Sequence, residues 1–265
     1  MKLSSQSWSR AFASGCLLAC GAGAAPGVFA QEEPKPPASP HTFSANVALM
    51  SNYVFRGITY TQDRPALQGG FDYAHDSGLY AGVWATNVSS KAINGASLEM
   101  DLYGGFTKSF GDWRFDVGLL QFYYPENPKL PGSDEKYNTL ELYGAVGWKF
   151  VTLKYSSTLT DFFGFNSASM GTNQGSSHGS GYLELNADVP LPEDFVLGLH
   201  VGRQWVRNYG AFNYTDWRAV VSKSFGTGWT VSLAYTGTNA DRSLWVADGK
   251  RLGTAHWILG LKRVF

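Results

Sequence analysis

Thr254-Ala255-His256-Trp257-Ile258-Leu259-Gly260-Leu261-Lys262-Arg263-Val264-Phe265 closes the chain and decides its fold. Ala255, Trp257, Leu259, Leu261 and Phe265 fall on one face of an extended strand; Thr254, His256, Gly260 and Lys262 fall on the other. Successive strand side chains point to opposite faces, so the segment carries one oily and one wet surface. Arg263 breaks the oily series, and it is the only charge on that face. The same rhythm returns through the rest of the chain.

Composition narrows what that rhythm can mean. Lys plus Arg and Asp plus Glu stand at 21 each, so no basic field exists to attract nucleic acid. Charged residues are 16% of the chain, beside 31 glycines, 9 Trp, 14 Tyr and 17 Phe. Such a mixture is poor in helix formers and rich in strand formers and interfacial anchors. Beyond the N-terminus no run of 18 apolar residues occurs, which excludes a helical membrane span there.

Residues 1–30 read as a signal peptide: Lys2 and Arg10 precede the small, apolar stretch 11–25, and Val28-Phe29-Ala30 offers a cleavage site. Cleavage removes two basic residues and leaves a net charge of −2. It also removes Cys16 and Cys20, so no disulfide, thiolate metal site or cysteine nucleophile remains. A rival reading takes Leu17-Leu18-Ala19-Cys20 as a lipoprotein site, which Leu18 suits poorly. Residues 31–42, with four prolines, read as a periplasmic tail.

From Phe43 to Phe265 twelve strands can be counted, near 43–56, 66–75, 78–88, 97–110, 112–124, 138–150, 151–160, 180–190, 194–206, 214–225, 229–238 and 254–265. Most have the roughly ten residues that a tilted membrane strand needs. In the sixth, Leu140, Leu142, Val146, Trp148 and Phe150 oppose Glu141, Tyr143 and Lys149; the third has no clear oily face. Connections alternate between tight turns (Gly111-Asp112, Gly226-Thr227-Gly228) and long loops (57–65, 89–96, 125–137, 161–179, 207–213, 240–253). That alternation predicts an all-β, antiparallel transmembrane barrel with both termini periplasmic. Phe43, Tyr73, Phe110, Trp113, Phe150, Phe195, Phe225, Trp229 and Phe265 gather at the tight-turn ends, as an aromatic girdle would. A soluble β-sandwich needs aromatic residues too, but does not mark one end of its strands.

The final strand also resembles the C-terminal assembly signal of bacterial outer-membrane barrels. That likeness assigns Trp257, Leu259, Leu261 and Phe265 to recognition by the barrel-assembly machinery, Arg263 being the departure. Ser51-Asn52-Tyr53-Val54-Phe55-Arg56-Gly57-Ile58, Pro65 to Tyr73, Gly78 to Trp84, Glu99 to Gly105, Tyr123-Tyr124-Pro125 and Glu141-Leu142-Tyr143 resemble the TorF family of porin-like proteins. The resemblance implies a Gram-negative outer-membrane pore and carries no catalytic residue.

With lipid and lipopolysaccharide outside, the opposite face lines the lumen. The expected pore lining is Arg56, Glu99, Asp101, Arg114, Asp116, Glu141, Lys154, Glu184, His200, Asp216 and Arg218, with Asp72, Lys149 and Asp188 also inward. Charges of both signs across a water-filled lumen would select permeating small solutes. The same charges could instead pair and seal a narrow barrel. A lipid hydrolase is the third reading: His75 and Ser77 stand two apart, but within Asp-Ser-Gly, ordinary turn chemistry. His200 and His256 have no second ligand at metal spacing, and no cofactor is expected.

Overall fold

A computed structural model describes residues 39–265; the expected signal peptide and most of the tail lie outside this range. Twelve strands close an antiparallel barrel: β1 (His41–Met50), β4 (Ala66–His75), β5 (Leu79–Asn87), β6 (Leu98–Phe110), β7 (Trp113–Tyr123), β8 (Thr139–Trp148), β9 (Val151–Thr158), β10 (Gly181–Pro190), β11 (Phe195–Trp205), β12 (Tyr214–Phe225), β13 (Trp229–Thr238) and β16 (His256–Val264). Two short hairpins add β2 (Val54–Phe55) with β3 (Ile58–Thr59), and β14 (Val246–Ala247) with β15 (Lys250–Arg251).

Neighbours in sequence are neighbours in the wall, the short hairpins apart, and β1 closes the ring on β16 from Asn46↔Val264 to Met50↔Gly260. The Phe265 N–H donates to the Ala45 carbonyl at 2.9 Å, so the last residue fastens the seam. Five connections have two to four residues (76–78, 111–112, 149–150, 191–194 and 226–228) and the others are long. The only α-helix among the described residues is α1 (Ser167–Met170), in the longest of these loops, beside two 3-10 turns at Phe162–Gly164 and Gly210–Phe212.

The wall is inverted relative to a soluble protein. Leu49, Leu142, Leu185, Leu233 and Leu259 face outward in the expected register, Leu142 44% and Leu259 59% exposed. A belt this continuous is incompatible with water and fits hydrocarbon. Phe43, Phe110, Trp113, Phe225 and Phe265 ring the short-turn end, and Trp205, Trp217 and Trp257 stand outward toward the other. In β5 the outward residues are Leu79, Val83 and Asn87; Tyr80 and Trp84 point inward, resolving the ambiguous third strand.

Inward tyrosines explain several glycines. Tyr80 lies opposite Gly105, Tyr103 opposite Gly82, and Tyr143 opposite Gly118. A Cβ on Gly82 would come within 2.5 Å of the Tyr103 ring, and one on Gly118 within 2.5 Å of the Tyr143 hydroxyl. Each ring lies flat across the glycine on the neighbouring strand, a cross-strand pair that only a missing side chain allows.

One expectation is corrected. The first strand was expected to run from 43 to 56, carrying Tyr53 and Phe55 into lipid and Arg56 up the wall. It leaves the wall after Met50, and residues 54–59 form a hairpin inside the barrel. Tyr53 is 4% exposed and packs with Tyr60 and Trp84, while Phe55 packs on Phe122 and Phe163. The physical reason is the Arg56-Gly57 turn, with φ of 46° and 77°, which reverses the chain where a straight strand was expected.

Candidate functional site

The inner hairpin fills the lumen at the long-loop end. Asn52 organises its base: its side-chain carbonyl accepts from the Thr59 and Thr61 hydroxyls at 2.6 and 2.9 Å, and its amide donates to Asp63 at 2.9 Å. The Thr59 N–H donates to the Leu252 carbonyl at 3.0 Å, and the Ser89 N–H to the Tyr60 carbonyl at 2.7 Å. Asp63 meets Lys250 at 2.6 Å and His256 at 2.8 Å. At the tip, a Cβ on Gly57 would stand 2.7 Å from the Asp216 Cβ and 2.9 Å from that of Thr238, so the turn touches the wall at β12 and β13. Phe122, Phe162, Phe163, Tyr209 and Tyr214 pack around the hairpin into an apolar core. The barrel's core therefore sits inside its long-loop half.

Arg56 leads from the tip into the wall charges. Its two terminal nitrogens donate to both oxygens of Glu141 at 2.9 and 2.8 Å, one of them also reaching the Gln204 side-chain carbonyl at 3.2 Å. The guanidinium lies 4.1 Å above the Tyr182 ring. The two side chains are 4% and 2% exposed. Burial works against the Arg56 charge, but Glu141 outweighs it and holds the guanidinium protonated. Bidentate geometry of this kind is the strong form of the ion pair.

Glu99, at the long-loop end of β6, accepts from the Tyr53 and Tyr124 hydroxyls at 2.6 and 2.5 Å. Asp101 is buried beside it with one carboxylate oxygen lacking a hydrogen-bond partner, as is Nε of Arg56. Asp216 accepts from Tyr182 at 2.9 Å and lies 3.0 Å from His200 Nε2; His200 Nδ1 is 2.7 Å from Asn186. Glu184 stands 3.7 Å from His200 and 4.0 Å from Lys154.

Nearer the short turns the inward charges are less buried than at the long-loop end. Tyr80 donates to Asp116 at 2.6 Å and Tyr103 donates to Asp72. Arg114, Asp116, Asp188 and Arg218 are half-buried in this part of the lumen. All eleven expected lining residues thus lie on the lumen side. Arg56 arrives on the inner hairpin, and Glu141, Glu99 and Asp216 are covered by protein. Lys149, also read as inward, sits in the turn after β8 with its ammonium 4.7 Å over the Trp148 ring.

Sequence reasoning missed the tyrosines that serve the carboxylates: Tyr53 and Tyr124 on Glu99, Tyr182 on Asp216, Tyr80 on Asp116. Tyr80 and Tyr182 stand on inward strand positions, which was the available signal, whereas Tyr53 and Tyr124 lie beyond the ends of β1 and β7, where no strand period marks them. Among the described residues no group of three His, Cys, Asp or Glu could hold a metal. His75 Nδ1 meets Ser77 Oγ at 2.8 Å in an exposed turn, where the serine caps its own backbone.

A closed twelve-stranded antiparallel barrel, apolar outside and charged within, defines a membrane barrel of the porin type. Residues 34–265 match the family described as "Bacterial protein of unknown function (Gcw_chp)", and the chain belongs to that family. No curated protein matches it in sequence. Among solved structures it is similar to the KdgM porin in complex with disordered oligogalacturonate, with a TM-score of 0.52 and 10% identity over 84% of this chain and 98% of that one. A second KdgM porin structure gives a TM-score of 0.51 and 9% identity, over 84% and 99%. At such identity the likeness is one of fold.

Proposed function

We propose that the protein is an outer-membrane diffusion channel for small hydrophilic solutes, closed in this conformation by the inner hairpin. The observation that carries the reading is the lumen wall. Below the hairpin, acids, bases and tyrosine hydroxyls line a barrel whose outer face is apolar. Charged linings of both signs order permeating ions and polar solutes. The likeness of residues 43–165 to the TorF porin-like family and the KdgM-like fold support the same reading.

In this proposal the short turns and both termini are periplasmic, and residues 1–30 are the cleaved signal peptide. The apolar belt meets phospholipid and lipopolysaccharide, and the strand ending in Phe265 is read by the assembly machinery. Passive movement through such a lumen requires no cofactor or catalytic group.

Planar-bilayer recording of the refolded protein tests the channel. Stepwise conductance, in the wild type or in a variant whose hairpin is released, is the expected result. A second reading, a sealed barrel with an envelope-structural role, draws on the Arg56–Glu141 pair, which fills the space a solute would use. It wins if neither form conducts.

A further inference from the structure

Arg263, the residue that breaks the outward series of the last strand, occupies a lipid-facing position. Its register partners are Val47 on β1 and Trp229 on β13, both on the outer face. The guanidinium carbon lies 5.2 Å from the Trp229 ring centre and 4.9 Å from that of Phe265. Its Nε is enclosed and has no hydrogen-bond partner. Two other cations at this rim also stack on girdle rings: Lys149 on Trp148 and Lys223 on Phe195. Each has a turn carboxylate nearby, Asp112 at 4.0 Å and Glu193 at 3.9 Å. No carboxylate pairs with Arg263 among the described residues.

An unpaired cation facing lipid is costly unless an anion meets it. Aromatic girdles lie at headgroup level, so the two rings fix the guanidinium at the height where phosphates lie. A planar fork of donors suits the oxygens of a phosphodiester. We propose that Arg263, clasped between Trp229 and Phe265, is a binding site for the phosphodiester of a phospholipid at the short-turn rim. This rests on the membrane reading above, and on its orientation for the choice of the periplasmic leaflet.

Native mass spectrometry of the purified barrel tests it, with phosphatidylglycerol, a diacylglycerol of the same chains, or inorganic phosphate added. Wild type should retain phosphatidylglycerol over diacylglycerol, and Arg263→Leu should reduce that retention about tenfold or more, the worth of a charge-assisted bidentate contact. Arg263→Lys should restore part of it, as a point charge without the fork. Heat-modifiable mobility confirms folding; should the leucine variant misfold, Arg263→Gln carries the comparison. Equal retention of phosphatidylglycerol by wild type and variant overturns the site, as does equal retention of diacylglycerol by the wild type. Binding of inorganic phosphate as tightly as the lipid would overturn it in favour of a free-anion site. Slower assembly of the variant with unchanged lipid retention would overturn it in favour of a contact with the assembly machinery. Conductance is read separately, so a silent barrel that keeps its lipid would sink the channel and leave this site standing.

Discussion

Glu141→Gln should release the inner hairpin. The substitution keeps the shape of the side chain and removes the charge that faces Arg56 across 2.8 and 2.9 Å. Both side chains are buried, so the guanidinium keeps only neutral support: the amide oxygen that replaces the carboxylate, the Gln204 side-chain carbonyl, and the Tyr182 and Phe55 rings. Removing one partner of a buried pair costs about 3–5 kcal/mol, because the surviving charge is stranded. The released hairpin can take Arg56 to water, so the penalty falls on the closed state alone. The closed-to-open ratio should then fall by roughly 10² or more. Single-channel recording measures this directly, as a rise in open fraction over the wild type. Arg56→Ala should act in the same direction, and the double variant should show less than the sum of the two, since they share one interaction. A Thr59→Cys/Leu252→Cys pair, placed where the hairpin bonds to the wall-side loop at 3.0 Å, should close the released channel again until reductant is added. Identical open fractions for wild type and Glu141→Gln would refute the hairpin as the closing element.

Three further outcomes are expected. Leu142→Arg puts a charge on the lipid face, 44% exposed in the structure, and should cost about 2–4 kcal/mol near the midplane in urea unfolding from liposomes; wild-type stability would mean that this face does not meet lipid. Epitope tags at 161–179 or 240–253 should be reachable on intact cells and a tag at 226–228 should not; the reverse pattern would invert the topology. Deleting Phe265 removes its bonds to Ala45, so the folded, heat-modifiable form should decrease; unimpaired assembly would show that the seam and the terminal signal do not depend on it.

Much of this architecture is local, which is why the sequence by itself determined it. A two-residue period does not depend on what lies across the barrel, so Leu98, Leu142 and Leu259 could be assigned outward, and Glu99, Glu141 and Glu184 inward, from spacing alone. The turns at 111–112 and 226–228 declared themselves through glycine, and their alternation with long loops made the strand count even. The family resemblance pointed the same way, and the fold likeness to KdgM porin agrees with it.

Tertiary structure alone decided what occupies the lumen. Val-Phe-Arg-Gly-Ile-Thr alternates as well inside a hairpin as along a wall, and only packing against Phe122, Phe163 and Asp216 places residues 54–59 within the barrel. Arg56 and Glu141 are 85 residues apart, and Tyr53 and Glu99 are 46 apart. Inward facing is a property of one strand and can be read from it; pairing is a property of two distant segments and arises only when the ring closes. The same holds for Arg263. In sequence it is an exception to an apolar series, and its environment exists only because β1 and β13 flank β16 and bring Trp229 beside it.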